Sequence, residues 1–143
     1  LNSEIATSVM LGQKIIMVVL DNRGYGCIHR LQQSCGGPGF NNLLDDCLTT
    51  ENGAPKTDFA AHAAALGARS EKVNNISELE AALERAKASD ISYLITLDTD
   101  VTPQWEDGGT WWDVAVAEVS QRDHVNEARK RYESFKARQL QNL

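Results

Sequence analysis

The sequence predicts an α/β fold, a parallel sheet with helices on both faces, and three observations carry that expectation. Ile15 to Leu20 is an unbroken apolar run of strand length, followed at once by Asp21, Asn22 and the closely spaced Gly24 and Gly26. A continuous Ile/Val/Leu run reads as a strand covered on both faces, as parallel strands are. Tyr93 to Leu97 reads as a further strand, with Asp98 and Asp100 just past its end, again at the ligand-facing edge. Around these runs lie stretches with apolar residues at helical spacing, and helix alternating with strand over short links is the rhythm of an α/β unit. Ligands in such sheets bind beyond the carboxyl ends of the strands, which places Asp21 and Asn22 at a ligand-facing edge.

In chain order, Asn2 or Ser3 is positioned to cap a short helix with Ile5, Ala6, Val9 and Met10 on one face and Gly12 to end it. The strand Ile15 to Leu20 follows. From Arg23 to Lys56, Gly24, Gly26, Gly36, Gly37, Pro38, Gly39 and Gly53 interrupt any long periodicity, and only Cys27 to Gln33 offers a helical turn or two. A connection of this length inside a domain is usually functional or disordered. Tyr25, Ile28, Leu31, Phe40, Leu43 and Leu44 suggest a packed loop closing over a ligand. Regular structure resumes with Thr57 or Asp58 as N-cap of a helix carrying Phe59, Ala60, Ala63 and Leu66, stopped by Gly67. Ala68 to Val73 reads as a short, partly polar strand. Ser77 and Glu80 form a capping-box signature, with Leu79, Ala82, Leu83 and Ala86 on the apolar face of the next helix. Thr102 to Val119 is irregular and holds Trp105, Trp111 and Trp112. Ser120 with Asp123 opens a last helix with a stripe of Val125, Ala128, Tyr132, Phe135 and Leu140.

A chain of 143 residues suits one domain with enough apolar content for a core. No apolar run approaches the roughly 20 residues that span a bilayer, and no signal-peptide pattern is visible, so neither a membrane partner nor export is expected. The chain opens on Leu1 inside helix-like sequence, so it is expected to be a piece of a longer protein whose upstream domains are absent. The net charge of −6 hides a basic tail, six Lys/Arg against three Asp/Glu from Arg122 onward. Without interleaved aromatic residues that tail reads as the solvated face of a terminal helix, not a nucleic-acid surface. Cys27, Cys35 and Cys47 fit no close-paired zinc spacing and are odd in number for a disulfide framework, so reduced thiols in a cytoplasmic protein are expected.

The chemistry concentrates at Asp21 to Gly26. A carboxylate, a carboxamide and glycines at a strand end suit a hard cation such as magnesium, which takes oxygen ligands and keeps water or phosphate oxygens in its shell. Asn22 offers a side-chain carbonyl, and Gly24, without a Cβ, lets its backbone carbonyl approach closely. Taken bare, the same residues more often mark ordinary turn chemistry. His29 could hydrogen-bond a polyhydroxylated substrate, with Gln32 one helical turn on, although a lone loop histidine is more often structural. Asp98 and Asp100 read as capping or turn residues, the tryptophans as a core or interface cluster, and Cys27 as a packed residue without a partner base. The glycines from Gly36 to Gly39 could cradle phosphate, although flexible closure is the commoner use. A nicotinamide-binding fingerprint fails because His29 stands at the third glycine position.

Helix, apolar strand, then Asp21-Asn22 followed by x-Gly resembles the second half of the thiamine diphosphate motif. The stretches GYGCIHRLQ (Gly24 to Gln32), GGPGFNNLL (Gly36 to Leu44) and GGTWWDVAVAEVS (Gly108 to Ser120) resemble the trihydroxycyclohexanedione hydrolases of myo-inositol breakdown. The resemblance covers most of the chain and departs from the family pattern at Asp21, usually Asn, and at Ala115, usually Pro. It implies a truncated thiamine diphosphate-binding domain over residues 1–143, with thiamine diphosphate and Mg²⁺ as cofactors. Asn22 and the Gly24 carbonyl would ligate the metal, and Asn22, Gly24, Tyr25 and Gly26 would bind the cofactor. The Gly-Asp-Gly half of the motif would lie upstream of Leu1, and the activating glutamate in a missing domain, so no catalytic residue is assigned within the chain. Further implied are a cyclic polyol dione substrate opened by C–C cleavage to 5-deoxy-glucuronate, a homo-oligomer, and little activity for the 143 residues alone. Another thiamine diphosphate enzyme of the acetohydroxyacid synthase or decarboxylase type, or a non-catalytic dimerisation module, are the alternatives.

Overall fold

The structure is a computed structural model that describes residues 2–46, 56–100 and 115–138. The chain forms two compact units, the first from residues 1–23 and 55–100, the second from residues 24–54 and 101–143.

The first unit is the α/β part. It contains α1 (Ser3–Met10), β1 (Ile16–Asp21), α3 (Phe59–Ala65), β2 (Arg69–Val73), α4 (Ile76–Ala88) and β3 (Tyr93–Asp98), while α2 (Gly26–Ser34) and α5 (Asp123–Arg138) belong to the second unit. The three strands form one parallel sheet in the order β1-β3-β2. Ile16 pairs with Tyr93 and Asp21 with Asp98, so β1 and β3 end side by side.

Helices cover both faces of this sheet. On one face, Ala82 and Ala86 of α4 pack on Val73, Tyr93, Ile95 and Leu97. On the other, Ile5 of α1 and Ala63 of α3 pack on Ala68 and Leu94, with Val9, Met17, Val19, Phe59 and Leu66 around them. The alternation of β3 residues between these clusters is the two-residue period of a strand buried on both sides.

Several expectations shift in detail. Strand β1 begins and ends one residue later than the apolar run, β2 starts at Arg69, and β3 extends through Asp98. Asp58 caps α3 by accepting from the Ala61 N–H at 2.8 Å, as its spacing predicts, and Gly67 follows with φ 91°. Helix α4 starts at Ile76, not after Ser77. Its N-cap is Asn75, which accepts from the Glu78 N–H at 2.9 Å, and the Glu78 carboxylate reaches back to the Asn74 N–H at 2.9 Å. At α1, Asn2 has helical dihedrals and makes no side-chain cap bond.

The larger correction concerns β1, which is not covered on both faces. Ile16, Val18 and Leu20 are 40%, 43% and 60% exposed. Among the described residues, the strand pairs with β3 alone, and α4 packs on β2 and β3. The strand buried throughout is β3, from Tyr93 to Leu97.

In the second unit, α2 is longer than the glycine-rich sequence suggested, running nine residues from Gly26 to Ser34. A short 3₁₀ turn covers Leu44–Asp46. Ala128 on α5 and Val116 are buried, Arg129 donates to the Val116 carbonyl at 2.8 Å, and its guanidinium also pairs with Glu133 at 2.8 Å. Of the expected α5 stripe, Val125 and Tyr132 are half-buried and Phe135 is exposed, while Leu140 lies outside the described residues. Cys47 and the three tryptophans also lie outside them. Tyr25, Ile28 and Phe40, expected inside a packed loop, are 73%, 54% and 71% exposed. Among the described residues, no helix is long and apolar enough to cross a membrane.

Candidate functional site

The first unit presents a cavity of about 210 Å³ at the carboxyl edge of its sheet, lined by Asp21, Arg23, Lys72, Thr96, Asp98 and the start of α3. Parallel pairing creates it, because all three strands deliver their last residues to one edge. The Thr99 N–H donates to the Asp21 carbonyl at 2.9 Å, which ties the two strand ends together. Lys72 from β2 holds Asp98 of β3 at 2.7 Å. That contact gives Asp98 a structural partner, in keeping with its reading as a strand-end residue.

Asp21 shapes the turn out of β1. Its Oδ1 accepts from the Arg23 N–H at 2.8 Å, an Asx turn, and Arg23 takes the left-handed conformation at φ 58°. Between them Asn22 is half-buried at the carboxyl edge.

Gly24 opens the second unit. A Cβ there would run into the Asn42 carbonyl oxygen and come within 2.8 Å of the Leu43 Cα. Gly24 forms an antiparallel bridge with Leu43, and the Tyr25 N–H donates to the Asn42 carbonyl at 2.6 Å. The absent side chain is required by this close pass of backbone, a reason the sequence reading did not supply. Gly26 is buried as the first residue of α2, and Tyr25 is largely exposed.

His29 and Gln32 project from α2 into contacts within the same unit. His29 is 7% exposed, and a Cβ on Gly39 would lie 2.5 Å from its Cε1. Among the described residues, its Nδ1 is the buried side-chain polar atom without a hydrogen-bond partner. The Gln32 Oε1 accepts from Asn42 Nδ2 at 2.5 Å. A Cβ on Gly36, which has φ 79°, would come within 2.7 Å of the Val125 Cα of α5. The glycine run therefore serves close packing on α2 and α5 instead of an open phosphate cradle. Asn42 is the contributor the sequence reading missed. Its position in Asn41-Asn42 after a glycine run signalled a turn, but nothing in the spacing named Gln32 and Tyr25 as its partners.

Among the described residues, no group of three His, Cys, Asp or Glu side chains is placed to hold a metal ion. A magnesium ion held by one carboxamide, a backbone carbonyl and diphosphate oxygens needs no such group. The half-buried Asn22 at the strand edge offers the carboxamide of such a donor set.

Residues 1–97 match the family described as thiamine pyrophosphate enzyme, C-terminal TPP binding domain. The chain is 37% identical over 135 residues to a 3D-(3,5/4)-trihydroxycyclohexane-1,2-dione hydrolase of Bacillus licheniformis, covering 94% of this chain and 21% of that protein. It is 38% identical over 131 residues to the protein of the same name from Halalkalibacterium halodurans, covering 90% of this chain and 20% of that one. The chain thus spans about one fifth of the length of the relatives it matches. Its fold is similar to that of a thiamine diphosphate-dependent 4-hydroxybenzoylformate decarboxylase from Rhodococcus jostii RHA1, with a TM-score of 0.59 and 19% identity over 69% of this chain and 17% of that one.

Proposed function

Because the chain belongs to the thiamine pyrophosphate enzymes, matching their C-terminal cofactor-binding domain over residues 1–97, we propose that it is the diphosphate-binding part of a magnesium-dependent hydrolase. That enzyme would open the ring of trihydroxycyclohexane-1,2-dione by C–C cleavage, giving 5-deoxy-glucuronate in inositol catabolism. The observation that carries this reading is the identity of 37% across 94% of the chain to a hydrolase of that name, together with Asn22 at the carboxyl edge of β1. The alternative, a decarboxylase or synthase on the same domain, draws on the fold likeness alone.

When bound, thiamine diphosphate supplies the carbanion chemistry that breaks the C–C bond. The contribution of this chain is to bind and orient. Asn22 and the Gly24 carbonyl would ligate magnesium, and Tyr25 and Gly26 would lie along the cofactor. His29 and Gln32 would act on the substrate side by holding the segment from Gly37 to Asn42, the segment their side chains already engage. The activating glutamate belongs to the proposed missing domains, and the full protein would work as a cytoplasmic homo-oligomer.

Titration of the full-length protein with thiamine diphosphate, with and without magnesium, tests the reading. Asn22→Ala should weaken magnesium-dependent binding by at least about tenfold, the scale on which even supporting groups of a metal site act. Dione turnover should require the full protein, and the 143-residue chain should show none. Undiminished magnesium-dependent binding by Asn22→Ala would sink the ligand assignment. Turnover by the 143 residues alone would sink the division of labour.

A further inference from the structure

The cavity at the carboxyl edge of the sheet is built from residues other than those assigned to magnesium and cofactor. Its lining comes wholly from the first unit: the carboxyl ends of the three strands, Arg23, and residues 56–59 at the start of α3. Parallel register sets Thr96 of β3 beside Val19 and Lys72. By the strand period its side chain shares a face with Leu94, which packs under α1 and α3. Thr96 is 4% exposed and is the one buried residue of the lining, so it forms the floor. Asp58, Lys72 and Asp98 are exposed and form the rim.

The floor is where an apolar residue would be expected, and it carries a hydroxyl instead. Among the described residues no protein group bonds the Thr96 hydroxyl, and it is not sealed in, as the His29 Nδ1 is, but opens on the cavity. Around it stand three carboxylates, Asp21, Asp58 and Asp98, and three cations, Arg23, Lys56 and Lys72, so the lining is neutral in sum. One oxygen of each carboxylate is engaged, that of Asp21 by the Arg23 N–H, that of Asp58 by the Ala61 N–H and that of Asp98 by Lys72. A carboxylate takes about four hydrogen bonds, so each keeps acceptor capacity. Phe59 adds an aromatic ring to these polar groups, the mixture found in small-molecule sites. A volume of about 210 Å³ lies below the roughly 300–1,000 Å³ of pockets for drug-sized ligands, so the ligand is compact.

We propose that this cavity binds a compact, neutral, polyhydroxylated molecule, with one hydroxyl on Thr96 at the floor and others donating to the carboxylates around it. The balance of charge selects that class. An inorganic anion would meet three carboxylates and an alkylammonium would meet three cations, whereas each hydroxyl of a polyol both donates and accepts, and so finds partners of either sign. Lys72, at 2.7 Å from Asp98, holds that carboxylate in place and keeps further N–H groups for a hydroxyl oxygen. The C–H face of the ligand lies against Phe59. The placement rests on the first unit alone and stands whether or not the chain binds thiamine diphosphate.

Amide NMR titration of the 143-residue chain, without thiamine diphosphate or magnesium, tests the proposal with a cyclic probe, D-glucose, and an open-chain one, sorbitol. The Phe59, Thr96 and Asp98 amides should shift and saturate with at least one of them. Inorganic phosphate and n-butylammonium should bind there at least tenfold more weakly. Thr96→Val keeps the shape of the floor and removes its hydroxyl, so it should weaken polyol binding by about tenfold, the scale of one lost hydrogen bond in a buried site. Its melting temperature should be unchanged or higher, since the hydroxyl has no protein partner to lose. Absence of a saturable shift with both polyols, tighter binding of either ion, or undiminished polyol binding by Thr96→Val would overturn the proposal. So would a lower melting temperature for Thr96→Val, which would show the hydroxyl bonded within the protein.

Discussion

Strands β1 and β3 read much alike, IMVVLD and YLITLD, each six residues long, largely apolar up to a closing aspartate, and paired in register along their whole length. Yet Tyr93 to Leu97 are buried without a break, while Ile16, Val18 and Leu20 stand at least 40% exposed. The difference comes from place. Among the described residues, β3 has a neighbour on each side and helices on both faces, whereas β1 has one neighbour and a helix layer on one face. Apolar composition states what a strand can bury, and the order of strands decides what it does bury.

A matched pair of substitutions tests that contrast most strongly. Ile95 is fully buried and Ile16 is 40% exposed. Ile95→Ala should cost about 2–5 kcal/mol, the range for emptying a packed core site. Ile16→Ala should cost about 1 kcal/mol or less, because much of that side chain already meets water. Chemical denaturation of the two variants of the 143-residue chain reads the difference directly. Equal losses would show that β1 is covered in solution, and sedimentation would then reveal association.

Strand β3 also anchors β2 through a polar clamp that β1 lacks, and pH separates the two edges. The Glu71 carboxylate accepts from Arg85 at 3.0 and 2.6 Å and from the Tyr93 hydroxyl at 2.6 Å. The Arg85 hydrogen bonds, more than the Tyr93 bond, hold the Glu71 carboxyl below its ordinary value of 4.5 against a smaller opposing effect of burial. A lowered carboxyl stabilises the fold above that value, and the stabilisation disappears as pH falls through the folded-state value. Burial first, and then Glu71, push the Tyr93 hydroxyl above its ordinary 10.0, so its contribution is complete below pH 10 and is lost as pH rises through the raised value. Thermal melts across pH should therefore show Glu71→Gln flattening the acid limb and Tyr93→Phe the alkaline limb. At neutral pH, Tyr93→Phe should cost about 1 kcal/mol for the lost hydrogen bond. Unchanged acid and alkaline limbs would mean that the clamp is not formed in solution.

The sequence made the three strands and their parallel sense legible because apolar runs and helical periodicity survive reading one residue at a time. Glycines 12 and 67 and the Asp58 cap marked helix ends for the same reason, each acting within a few residues of itself. What stayed hidden depends on residues far apart in the chain. The strand order that bares β1 is one case. The need for glycine at position 24 is another, because it comes from Asn42 and Leu43. Asn22 was legible as an edge residue, since a strand end can be read locally. The burial of His29 under Gly39 was not, and the glycine density around α2 disguised a nine-residue helix as a loop.

The smallest contrast lies in the helices that cover the two strands, and it turns on one residue type in two conformations. Asn75, before the α4 that lies over β3, has extended dihedrals of φ −156° and ψ 172°, so its carboxamide folds back onto the Glu78 N–H. Asn2, before the α1 that packs against the side of β1 carrying Met17 and Val19, is already helical at φ −64° and ψ −33°, and makes no such bond. Asn75→Ala should therefore cost about 1 kcal/mol, and Asn75→Asp should restore most of it, because a carboxylate accepts the same N–H. Asn2→Ala should stay within about 0.5 kcal/mol of the parent. The sequence also offers Ser77 with Glu80 as a box two residues later, so Ser77→Ala decides between the two starts. A loss at Ser77 equal to that at Asn75 would mean that α4 frays to the later cap in solution, loosening the helix that packs over β3.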